Sequence, residues 1–70
     1  MNTKILNFLK NDAKTRRRPQ IDIEAFNKQF PYSPQLLDDL RSLEYYGVIK
    51  VTPGDDTICM ITLLDDLKND

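Results

Sequence analysis

Apolar side chains recur along this chain first at helical and then at strand intervals, and the period changes near Gly47. In TKILNFLKNDA, residues Ile5, Leu6, Phe8, Leu9 and Ala13 fall on one helical face. They predict a helix over residues 3–13 with Asn2 or Thr3 as its cap. KTRRRPQ follows as a loop. Pro19 ends any helix at or before Arg18, because its ring disfavours helical geometry in the residue that precedes it. Ile21 then reads as a very short strand and Asp22 as the N-cap of a second helix, with Ile23, Phe26 and Phe30 inward. PYSP is a turn. Ser33 suits a cap, and Pro34 suits the first helical position, where its missing N–H costs nothing.

The third helix is predicted to run to about Tyr46, with Gly47 as its left-handed C-terminal cap. VIKVT and TICMITL read as two strands joined at PGDD, where Gly54 is expected to supply a positive φ. Cys59, between Ile58 and Met60, is expected to be a small core or edge residue. LDDLKND is expected to be a frayed tail. The fold class is therefore α+β, a three-helix core followed by a C-terminal hairpin. It forms one domain over residues 1–70, with its core at about 3–63 and a tail over 64–70.

Two stretches carry a further likeness. DIEAFNKQFPYSP followed by LLDDLRSLEYYGVIKV resembles the core of small bacterial and phage winged helix-turn-helix transcription regulators. Leu40, Leu43, Gly47, Val48, Ile49 and Lys50 match the pattern in which their third helix runs into the wing. The likeness spans about residues 20–63. It implies that the first short strand pairs with the returning strand of the wing, and that the outward face of the third helix enters the major groove of duplex DNA.

On a wheel of about 100° per residue, Leu36, Leu40 and Leu43 form the core face of that helix. Pro34, Asp38, Arg41 and Tyr45 lie opposite, with Ser42 nearby. Leu37 and Glu44 flank one edge, Gln35 and Tyr46 the other. By position the reading residues would be Pro34, Gln35, Leu37, Asp38 and Arg41, of which only Gln35 and Arg41 are good donors to bases or phosphates. Asp55 and Asp56 sit at the hairpin tip, where they would repel phosphate, and are read as turn formers.

Charge sharpens this picture. The net charge of −1 hides an asymmetry. Residues 1–20 carry six basic residues against one acidic, a net +5, and residues 21–70 carry four against ten, a net −6. Lys14, Arg16, Arg17 and Arg18 are read either as a phosphate-gripping arm or as a solvated loop balancing the acidic body. The DNA-binding candidates are these four with Gln35, Arg41 and Lys50. If the helix has instead turned to binding protein, Leu37, Asp38, Glu44 and Tyr45 are the candidates.

Seventy residues bury one small core, which suits a binding surface better than a deep catalytic cleft. The chain has no His and one Cys, so the usual zinc sites, Ser-His pairs and internal disulfides are excluded. No Gly-rich phosphate loop or EF-hand spacing is present. The expectation is a non-enzymatic, cytoplasmic protein without cofactor, metal, small-molecule substrate or membrane segment. Its partner is duplex DNA or a protein, and so acidic a monomer is expected to act on DNA as a homodimer or within a larger complex.

Overall fold

Asn2 opens the first helix. Its side-chain oxygen accepts hydrogen bonds from the backbone N–H groups of Lys4 and Ile5 at 3.0 and 3.1 Å, satisfying two donors that a helix start leaves unpaired. In the computed structural model, which describes residues 2–64, this helix is α1, Thr3–Arg16. There follow β1 (Gln20–Asp22), α2 (Ile23–Gln29), α3 (Pro34–Tyr45), β2 (Ile49–Pro53) and β3 (Ile58–Leu63). The expected tail lies outside the described residues, apart from Leu64.

The fold is α+β: three helices and an antiparallel sheet of order β1-β3-β2. Three residues, Gln20–Asp22, pair with Thr62–Met60 of β3, and β2 pairs with its other side. The short first strand therefore does lie against the returning strand. Asp22 occupies the N-cap position of α2, but its side chain makes no capping bond.

The helix α1 extends to Arg16, so Lys14, Thr15 and Arg16 are helical and the expected basic loop is shorter than the sequence suggested. Nothing before Pro19 breaks the helix, and Arg16 pairs with Asp12 one turn back at 3.1 Å. The stop comes from Arg17, which adopts the left-handed conformation (φ 61, ψ 38). The N–H of Arg18 then reaches the carbonyl of Ala13 at 3.1 Å, closing the last turn. The same closure ends α3: Val48 N–H donates to Leu43 and Gly47 N–H to Glu44, both at 3.0 Å, with Gly47 at φ 76.

One core joins the elements. Phe26 of α2 is fully buried among Ile5 and Leu9 of α1, Leu40 and Leu43 of α3, and Ile49 and Ile61 of the sheet. Phe30 stacks on Phe26 at 5.1 Å, and Phe8 meets Phe30 edge-on at 5.4 Å. Tyr32, in the PYSP turn, is 62% exposed.

The β2–β3 hairpin departs from the expected alternation. Thr52 pairs with Met60 but Pro53 pairs with Ile58, which leaves Cys59 as the extra residue of a bulge. The slip brings Ile58 against the core and leaves Cys59 exposed on the central strand, where a small core or edge residue was expected. Gly54 does not take a positive φ. Its role is steric, since a Cβ there would lie 3.2 Å from the Thr57 carbonyl oxygen and 3.3 Å from the Cys59 Cβ.

Both outer strands are guarded by side chains. Arg16 Nη2 donates to the carbonyl of Gln20 on β1 at 2.9 Å, and Glu44 Oε2 accepts from the N–H of Val51 on β2 at 3.2 Å. Pro53 offers no N–H. These devices occupy groups that would otherwise template pairing with another chain.

Candidate nucleic-acid interface

The third helix is held by a single apolar stripe. Ser33 Oγ accepts from the N–H of Leu36 at 3.0 Å and starts α3, with Pro34 in its first turn. Leu36, Leu40 and Leu43 are buried at 6%, 1% and 0% exposure, as the wheel requires. The opposite face is open: Pro34, Gln35, Asp38, Arg41 and Tyr45 are all exposed. Leu37 and Ser42 are half-buried along its margins.

Two carboxylates of α3 have internal duties. Asp39 accepts a hydrogen bond from Asn2 Nδ2 at 2.9 Å, tying the start of α1 to the middle of α3. Glu44 is engaged by Val51. Asp38 keeps an exposed carboxylate on the outward face.

The cationic candidates divide by how they are engaged. Arg16 is committed to Asp12 through Nε and Nη2, at 3.1–3.2 Å, and to the Gln20 carbonyl. Lys14, Arg17, Arg18, Arg41 and Lys50 are exposed and have no side-chain partner among the described residues, and the same holds for Gln35. Lys50 stands on β2 opposite Thr62. Arg17 and Arg18 lie where the chain enters β1, beside the Pro19 carbonyl that accepts from Leu63 N–H at 3.0 Å. The antiparallel register puts that end of the sheet away from Asp55 and Asp56, which are exposed at the hairpin tip. The structure thus does not join the arginine run and the hairpin tip into one surface.

No protein-family model, no characterised protein and no solved structure matches this chain. Among the described residues there is no group of three or more His, Cys, Asp or Glu placed to hold a metal ion, and no helix is long and apolar enough to cross a membrane.

The protein-binding candidates fare differently. Leu37 is half-buried and Glu44 is occupied, whereas Asp38 is exposed and Tyr45 is 84% exposed. Sequence reasoning placed Tyr46 at the edge of the outward face but did not name it a candidate. It is 63% exposed and packs edge-on against Tyr45 with ring centroids 5.3 Å apart. The signal was the YYG run itself: two adjacent aromatics that fall outside the Leu36, Leu40 and Leu43 stripe.

Proposed function

We propose that this chain is a small, non-enzymatic DNA-associated protein with a winged helix-turn-helix architecture, of the kind that regulates transcription or replication in bacteria, phages or plasmids. In this reading α2 and α3 form the helix-turn-helix, and β2 and β3 form the wing. The observation that carries it is the state of the polar candidates: except for Arg16, every one is exposed without an internal partner among the described residues. Duplex affinity comes largely from such uncommitted cations. Gln35 and Arg41 on α3 supply donors for base edges and phosphates, and Lys50 supplies a backbone contact.

Asp38, exposed on the outward face of α3, opposes phosphate, so one copy binds weakly. A second copy would double the cationic contacts, and a homodimer on DNA is the expected working form. Fluorescence anisotropy with labelled duplexes, at 50 and 200 mM salt, tests the reading. It expects binding that weakens steeply with salt and loses sequence preference in a Gln35→Ala, Arg41→Ala variant. Absence of binding at 50 mM salt overturns it.

One observation favours a second reading, a protein-interaction module: the exposed Tyr45–Tyr46 pair at the end of α3. Exposed tyrosines are frequent anchors of protein interfaces. Under that reading Tyr45→Ala and Tyr46→Ala abolish association with a protein or a second copy, and DNA has no effect.

A further inference from the structure

We propose that Lys14, Arg17 and Arg18 form a phosphate-binding knuckle, through which the backbone of duplex DNA docks at the base of the hairpin and not at its tip. The inference rests on the DNA reading above and adds where the duplex lies.

The first ground is conformational. Arg17 is the one non-glycine residue with positive φ among the described residues. Left-handed geometry at this position usually belongs to glycine, because a Cβ there crowds the following carbonyl. α3 uses Gly47 at the equivalent place. An arginine costs stability that a glycine would keep, so its side chain has a use that the fold alone does not supply.

The second ground is the division of labour. Cations in the last turn of a helix offset its dipole, a task that Arg16 meets, while Lys14 beside it stays exposed without a side-chain partner among the described residues. Arg16 also braces β1. Arg17 and Arg18 lie beyond the last turn, exposed, and their side chains have no partner among the described residues. Their backbone is fixed by the Arg18–Ala13 hydrogen bond and by Pro19, so two guanidinium groups are presented from an ordered corner. Arginine's planar fork matches phosphate oxygens in pairs.

The third ground is position. β3 spans six residues from Ile58 to Leu63, which separates the two ends of the hairpin by roughly 17 Å. That exceeds the Debye length of about 8 Å at physiological salt, so Asp55 and Asp56 do little to repel a polyanion at the base. A duplex laid across the tip would meet them directly.

The test uses the whole chain and random-sequence duplexes followed by anisotropy across a salt series. The variant is Lys14→Ala, Arg17→Gly, Arg18→Ala, in which glycine retains the left-handed corner; circular dichroism checks that it folds. Binding is expected to weaken roughly tenfold or more at 50 mM salt, equally for all sequences, with the salt slope reduced by roughly 2.7 at about 0.9 per lost phosphate contact. Asp55→Asn, Asp56→Asn is expected to leave affinity within about twofold. If the wild type binds DNA and the triple variant binds equally well with an unchanged slope, the knuckle is wrong while the DNA reading stands. If the wild type binds no duplex, both fail. If polyglutamate of matched charge displaces the duplex as well as unlabelled DNA does, the knuckle recognises acidic protein, and the phosphate assignment is overturned.

Discussion

Asn2 Nδ2 donates to the Asp39 carboxylate at 2.9 Å, while the Asn2 side-chain oxygen caps α1, so one amide both starts the first helix and fastens it to the third. The orientation of α3, and with it the direction in which Gln35 and Arg41 point, depends on this pair as well as on the leucine stripe. Asn2→Ala removes the cap and the tie together and is expected to cost about 1 kcal/mol. Asp39→Ala removes only the tie and is expected to cost less. Urea unfolding of both variants and of the double variant checks the order; equal losses would mean that the cap contributes nothing.

The two left-handed helix ends allow a paired comparison. Gly47→Ala meets no atom within 4 Å, so its penalty is conformational alone, about 1 kcal/mol. Arg17→Gly runs the other way and is expected to raise stability by up to about 1 kcal/mol while weakening DNA binding. Thermal unfolding beside anisotropy reads both. A glycine that neither stabilises the fold nor weakens binding removes the reason given for the arginine.

Glu44 guards the outer edge of β2 by accepting from Val51. Glu44→Ala is expected to lose about 0.5–1 kcal/mol for an exposed hydrogen bond and to speed exchange of the Val51 amide. Amide exchange followed by NMR gives the answer residue by residue. Unchanged exchange at Val51 would show that the bond is not held in solution.

Leu40 is 1% exposed at the centre of the stripe. Leu40→Ala is expected to cost about 2–5 kcal/mol. A domain of this length holds on the order of 3.5–10 kcal/mol in total. The variant should therefore lose a large share of its stability, seen as a markedly lower midpoint in thermal unfolding followed by circular dichroism. A midpoint like that of the wild type would contradict the central place given to this residue.

The elements were legible wherever local chemistry decides them. Leu36, Leu40 and Leu43 at helical spacing, Ser33–Pro34 at the start and Gly47 at the end specify α3 without reference to the rest of the chain. What escaped the sequence depends on contacts between distant residues. The extra turn of α1 needs Asp12 opposite Arg16 and a non-glycine willing to go left-handed at Arg17. The bulge that exposes Cys59 needs the pairing of Pro53 with Ile58, and the tight approach at Gly54 follows from the same register. The candidate site was read with similar unevenness. The outward face of α3 followed from the wheel, but the commitment of Arg16 and Glu44 to the sheet edges appears only once the strands are in place.

Amide chemical shifts of the labelled chain during titration with duplex DNA at low and moderate salt test the proposed function most directly. The account expects shifts at Gln35, Arg41 and the corner at Arg17–Arg18, shrinking as salt rises. Silence at these amides in low salt, with concentration-dependent changes confined to Tyr45 and Tyr46, would contradict it and assign the surface to a protein.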